Sequence, residues 1–179
     1  MRFETAPLPG VTIIHPTRHA DDRGFFQRTY CRDTFLAEGL EECAAQSSIS
    51  FNARAGTLRG MHYQAEPHGE AKLVRASRGA VHDIIVDVRP GSKTFGRSFG
   101  IELSARNGVS LYIPRGCAHG FITLADETEV TYSMSAPFAP EAARGFRYND
   151  PVFALTWPTP VVVISDKELA WPLFTEQAM

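Results

Sequence analysis

Apolar residues in this chain come in short runs rich in β-branched and aromatic side chains, separated by turns containing glycine, proline, asparagine and aspartate. Runs of that kind predict strands, and many short strands punctuated by turns predict an all-β sandwich or barrel. Strands are expected over 11–15, 25–30, 45–51, 57–64, 71–77, 81–88, 99–103, 110–113, 120–124 and 130–134. Turn signals fall at Asp21-Asp22-Arg23-Gly24, Arg78-Gly79, Arg89-Pro90-Gly91, Asn107-Gly108 and Pro114-Arg115-Gly116. One short helix is predicted over 34–38, capped by Asp33 and ended by Gly39. Residues 137–179 carry several prolines and are expected to wrap the body irregularly, with a short helix near 166–169. No repeat, low-complexity tract or linker interrupts the chain, so a single domain over 1–179 is expected.

Alternation along a strand sorts its side chains onto two faces. In the run from Ala71, Lys72 shares a face with Val74 and Ala76; in the run from Val130, Tyr132 shares one with Val130 and Met134. A lysine on a small apolar face is costly to bury without an anionic partner or ligand. His62 falls on the face of Leu58 and Gly60, and Arg59 on the opposite one. Both reach one pocket only if Gly60 marks a bulge or bend.

The length, 179 residues, is enough to close a full hydrophobic core, and a net charge of -2 gives no reason to expect nucleic acid or an anionic membrane as partner. The basic residues are unevenly placed, however. Arg54, Arg59, Lys72, Arg75 and Arg78 fall in one stretch, which leaves room for a pocket that takes a small anion. Cys31, Cys43 and Cys117 are odd in number and form no CxxC pair, which favours a reducing compartment over a disulfide framework or zinc knuckle. With no signal-like amino terminus and no run near the ~20 apolar residues of a membrane span, a cytoplasmic protein is expected.

The chemistry concentrates in Leu58-Arg59-Gly60-Met61-His62-Tyr63-Gln64 and Ala71-Lys72-Leu73-Val74. These segments put an imidazole and an ammonium on neighbouring strands. A base beside a fixed positive charge suits proton removal next to a carbonyl, where the charge developing on oxygen must be stabilised. Nearby positive charge also lowers an imidazole pKa and keeps the ring neutral and basic. Tyr132 is a candidate proton donor, against an ordinary structural role for a tyrosine. Arg23 is a candidate anion contact, against a plain turn residue.

His119 follows a Pro-x-Gly-x-x-His turn resembling the second motif of cupins, which raises a metal site with His62 as a rival reading. The first-motif segment reads His62-Tyr63-Gln64, without a second histidine, and an adjacent lysine repels a cation. No metal is therefore expected. No Walker loop, dinucleotide fingerprint or nucleophile elbow is present.

Several motifs in order along nearly the whole chain carry a family resemblance. They are Asp22-Arg23-Gly24-x-Phe26, Leu58-Arg59-Gly60-x-His62-Tyr63-Gln64, Lys72-Leu73-Val74 and Asp83-x-x-x-Asp87-x-Arg89. Further along come Thr94-Phe95-Gly96, Leu103-Ser104-Ala105-x-Asn107, Ile113-Pro114-x-Gly116-x-Ala118-His119-Gly120-Phe121, Asn149-Asp150-Pro151 and Trp157-Pro158. Together they resemble the dTDP-4-dehydrorhamnose 3,5-epimerase family.

The resemblance implies a dimeric, cupin-like jelly roll that needs neither metal nor organic cofactor. His62 matches the general base that removes a proton at C3 or C5, beside the C4 ketone. Tyr132 matches the acid that returns a proton from the opposite face, and Lys72 the residue that stabilises the enolate oxygen. Arg59 and His119 match residues lining the diphosphate and sugar, and Lys167 another ligand contact. Arg23 matches a nucleotide contact from the partner subunit, with Phe26 delivered alongside it.

The departures gather among ligand contacts. Arg28 stands where the family has a glutamate, Gln46-Ser47-Ser48 where it has Gln-x-Asn, Ala143 where it has a glutamate, and Phe138 where a stacking tyrosine is common. Glu168 replaces the aspartate that can orient the base, a task also open to Asp83. The reading is a nucleotide-diphospho-4-keto-6-deoxyhexose epimerase of deoxysugar biosynthesis, acting at C3 and C5 or at C3 alone. Its rivals are a metal-dependent cupin enzyme (a dioxygenase or ketoisomerase) and a non-catalytic nucleotide-sugar or carbohydrate binding module.

Overall fold

Strands that cannot satisfy their backbone alone pair here into two antiparallel sheets facing each other. The computed structural model describes residues 1–174. The strands are β1 (Arg2–Thr5), β2 (Thr12–His15), β3 (Arg18–Asp21), β4 (Gly24–Gln27), β5 (Gln46–Asn52), β6 (Leu58–Gln64) and β7 (Lys72–Arg78). They continue with β8 (Ala80–Asp87), β9 (Ser98–Ser104), β10 (Ser110–Ile113), β11 (Cys117–Thr123), β12 (Thr128–Met134) and β13 (Ala143–Gly145). The six-stranded sheet runs β1-β2-β10-β7-β12-β5 and the five-stranded one β13-β6-β11-β8-β9. From β5 to β12 the chain passes repeatedly from one sheet to the other, the winding of a cupin-like jelly roll.

Val74, Leu111, Ile113 and Val130 from one sheet meet Val81, Ile85, Leu103 and Phe121 from the other in the main core. Burying one such side chain contributes about 1.5–3 kcal/mol. A second cluster sets Phe35 of α1 (Arg32–Ala37) over Ile14, Leu73 and Tyr112 on the outside of the six-stranded sheet. A third covers the outside of the five-stranded sheet, where Phe146 and Phe153 pack on Met61, Ile84, Val86 and Ala118. This part of the carboxy-terminal segment packs against the five-stranded sheet; the last five residues of the expected tail lie outside the described residues.

Three strands lie outside the expected set. β1 and β3 are mostly polar, and β13 is three residues in Ala143–Gly145. Each forms by pairing with a neighbour rather than by burying a face, so alternation carries no trace of it. The expected strand over 25–30 is shorter, Gly24–Gln27. The strand expected from 120 begins at Cys117, because all seven of its residues are buried and none breaks the run. The first helix starts earlier than predicted. Cys31, not Asp33, takes the extended cap position without a side-chain cap, and Asp33 sits in the first turn. Burial of Phe35 sets the helix position, and Gly39 follows its end with φ +73°.

β3 and β4 form a two-stranded hairpin paired with neither main sheet. It is exposed along nearly its whole length and includes Phe26, 64% exposed. Arg18 ties it to the body through a 2.9 Å hydrogen bond to the Ala105 carbonyl.

Candidate active site

The two-versus-three spacing between β11 and β6 is the local feature that builds the site. His119 pairs with His62 and Phe121 with Arg59, so two steps on β11 oppose three on β6. The extra residue is a bulge at Gly60–Met61. It sends Met61 into the outer core with its side chain fully buried, and lets Arg59 and His62 line the same pocket. Gly60 has φ +123°, and a Cβ there would lie 2.4 Å from the Gly120 Cα and 2.8 Å from the His119 carbonyl. Only glycine fits. Its N–H, freed from the ladder, donates to Glu168 Oε1 at 2.9 Å.

The pocket opens between the two sheets with a volume of about 430 Å³, within the range of small-molecule sites. The five-stranded sheet contributes Arg59, His62, His119 and Phe121. The six-stranded sheet contributes Gln46, Ser48, Lys72, Tyr132 and Met134. Phe138, Lys167, Glu168 and Trp171 from the carboxy-terminal segment close the rim. Base and acid candidates therefore enter from opposite walls.

His62 Nε2 lies 4.0 Å from Glu168 Oε1, and 41% of the His62 side chain is open to the pocket. Burial first, then the charges of Lys72, His119 and Lys167, hold its pKa well below the ordinary 6.5, so the ring is neutral. Glu168 is held by Ser165, the cap of α2 (Asp166–Leu169), whose hydroxyl donates to Glu168 Oε2 at 2.9 Å. Burial raises the Tyr132 pKa, against a smaller lowering by Arg59, and keeps its phenol protonated. Lys72 finds its anionic partner in Glu70, with Nζ 3.2 Å from Oε1. Arg59 is braced by Nε donating to Asn52 Oδ1 at 2.8 Å. A neutral base, a protonated phenol and an ammonium facing one cavity can move a proton across a carbon next to a carbonyl.

The family model for dTDP-4-dehydrorhamnose 3,5-epimerase matches residues 5–176. A dTDP-4-dehydrorhamnose 3,5-epimerase of Sinorhizobium fredii is 38% identical over 177 residues, 98% of this chain and 91% of the relative. The chain belongs to the dTDP-4-dehydrorhamnose 3,5-epimerase family. Among solved structures, the dTDP-4-dehydrorhamnose 3,5-epimerase of Elizabethkingia anophelis superposes with a TM-score of 0.93. That pair shares 35% identity over 100% of this chain and 99% of the other. The enzyme of Legionella pneumophila, solved in complex with dTDP-4-keto-L-rhamnose, superposes at 0.91 with 33% identity, over 96% and 92% of the two chains. Membership makes the protein an isomerase with a cupin-like jelly roll, as the motifs implied.

Ten of the site residues expected from the epimerase motifs meet in this one pocket: His62, Tyr132, Lys72, Glu168, Gln46, Ser48, Arg59, His119, Phe138 and Lys167. Four do not. Asp83 is fully buried behind the wall and accepts a hydrogen bond from His119 Nε2 at 2.8 Å. It serves His119, not His62, because β8 pairs Ile85 with His119 and sets Asp83 two residues along the same face. Arg23 sits at the hairpin tip, bound to Asp21 at 2.5 Å, and Phe26 and Arg28 line a separate hollow with Met1, Thr17, His19 and Thr34. The hairpin is detached from the sheets that carry the pocket, so these three stay out of their own chain's site.

Glu70, Tyr63, Gln64, Phe121, Met134 and Trp171 also line the pocket and were not among the expected site residues, and Ala143, where the family has a glutamate, lines it too. For Glu70 a signal exists: it stands two residues before Lys72, on the same face of an extended chain. Trp171 carries none, since it lies just beyond a four-residue helix. Among the described residues no three His, Cys, Asp or Glu side chains converge to hold a metal ion.

Proposed function

We propose that the protein inverts C3 and C5 of a nucleotide-diphospho-4-keto-6-deoxyhexose, with thymidine diphosphate as the leading nucleotide, in deoxysugar biosynthesis. His62 removes the proton next to the C4 ketone, and the electron pair moves onto the ketone oxygen as an enolate. The Lys72 ammonium stabilises that oxygen. The Tyr132 phenol then delivers a proton to the opposite face of the carbon, the ketone re-forms, and the stereocentre is inverted. Solvent returns a proton to Tyr132 and takes one from His62. The substrate supplies its own electron sink. Glu168 orients His62, while Arg59, His119, Lys167, Gln46 and Ser48 hold the diphosphate, sugar and base against Phe138.

The observation that carries this reading is that His62 and Tyr132 line one pocket from opposite sheets, with Lys72 between the same walls. Family membership supports the reaction over a metal-dependent cupin reaction and over a binding module without activity. The partner would be a second copy of this chain, and the detached hairpin supports delivery of Arg23 and Phe26 to the neighbouring pocket. No helix of the described residues is long and apolar enough to cross a membrane, and the substrate is a cytoplasmic metabolite in this reading.

The test is incubation with dTDP-, CDP-, GDP- and UDP-4-keto-6-deoxyglucose in deuterated water, followed by NMR. Deuterium at both C3 and C5 with the dTDP sugar is expected. Exchange at C3 alone would narrow the activity to one centre, and no exchange with any nucleotide would overturn the reading.

A further inference from the structure

Lys72 and Glu70 form a nearly buried ion pair at the pocket wall, their side chains 13% and 8% exposed. Nothing in the proposed reaction uses Glu70. A carboxylate beside a developing enolate is unfavourable in itself, so its presence calls for a compensating role.

Lys72 has three N–H donors on a flexible stem. Glu70 Oε1 faces the ammonium as an ion-pair partner at 3.2 Å, and no protein acceptor among the described residues takes a hydrogen bond from Nζ. The other Glu70 oxygen, Oε2, accepts from Gln64 Nε2 at 3.1 Å. Gln64 is buried and donates through the same nitrogen to the Pro137 carbonyl at 3.2 Å, while its Oε1 accepts from the Ala139 N–H at 2.6 Å. Glu70 is therefore anchored to the segment that carries Phe138, whose own N–H donates to Gln46 Oε1 at 2.6 Å.

We infer that Glu70 is a positioning residue for Lys72: its charge fixes the ammonium before substrate arrives and leaves N–H donors for the substrate's oxygen. The inference rests on the epimerase reading above. Its physical basis is preorganisation. A donor already aimed at the developing charge needs no rearrangement as the charge forms, whereas a loose lysine must first be ordered. Gln64 extends the same frame to the aromatic wall, so the oxyanion donor and the ligand-facing strap share one anchor.

A double-mutant cycle tests it, with kcat and KM for solvent-deuterium exchange into dTDP-4-keto-6-deoxyglucose. Glu70→Gln keeps the shape and the acceptor and removes the charge; its kcat should fall about tenfold or more, with KM within about threefold. The same substitution made on Lys72→Met should change kcat less than about twofold, because the group it positions is gone. Glu70→Asp should recover part of the lost kcat. Equal losses in both backgrounds would overturn the inference, as would a full-strength Glu70→Gln enzyme. Should Glu70→Gln fail to fold, thermal melting of Lys72→Met against the double variant decides. The double variant should melt higher, because it no longer buries an unpaired carboxylate, and a lower melting point overturns the pairing. Absence of exchange in the wild-type enzyme would instead overturn the epimerase reading, and this inference with it.

Discussion

His62 has to be neutral to accept a proton from carbon, and its surroundings enforce that. Burial and the charges of Lys72, His119 and Lys167 all disfavour the imidazolium. As pH falls, the base is therefore lost later than an ordinary histidine would be. The acid limb of kcat/KM should lie below 6.5. Lys72→Met removes one of the opposing charges, so the ring titration of His62 followed by NMR should move up toward that ordinary value. A limb at or above it in the wild type would refute the neutral-base assignment. Tyr132→Phe should divide the reaction in two. Exchange needs only removal and return on one face, and inversion needs a donor on the other. Slow deuterium incorporation with little inverted product is expected. Equal loss of both would make Tyr132 a structural or binding residue.

At the scale of elements, the bulge in β6 decides which side chains meet. Strict alternation separates Arg59 from His62, and the extra residue at Gly60 brings them together. Gly60→Ala forces a Cβ into the Gly120 backbone at a φ that other residues rarely adopt. Strain and overpacking together should lower stability by about 3 kcal/mol, read as a shift of the urea midpoint. Activity should fall further than stability explains, since Arg59 would no longer share the pocket with His62. A variant with wild-type midpoint and rate would mean that the bulge is dispensable. The helix α2 is the complementary case. Its Ser165 cap and position are local, so the sequence locates it at Asp166–Leu169, yet only packing brings Glu168 to Gly60 and His62.

At the scale of the whole molecule, the β3–β4 hairpin projects from the body with Arg23 at its tip and Phe26 exposed. In a dimer that exchanges this hairpin, one pocket uses Lys72 of its own chain and Arg23 of its neighbour's. Arg23→Ala and Lys72→Met then fall in the same pocket when carried on different chains. Mixed dimers would hold one pocket with both lesions and one with neither. Their activity should rise toward half of wild type, measured after co-refolding and separation by affinity tag. Heterodimers that form without that recovery would leave Arg23 outside the partner's pocket.

Strand positions such as 110–113, the all-β class and the candidates His62, Lys72 and Tyr132 were all legible in the sequence, because strand periodicity, turn chemistry and motif residues are local properties. The motifs in order along the chain also carried the family, since they record which side chains the site needs. Pairing was not legible. β1, β3 and β13 bury no face of their own and exist only because a neighbouring strand offers its edge. The partner of Asp83 was hidden for the same reason: it reaches His119 through register and packing across distant segments. The motifs had already offered Glu168 to His62, and packing brings it within 4.0 Å. Which residue types stand where is written along the chain; which of them touch is a matter of how two sheets close on each other, and that only the tertiary structure decides.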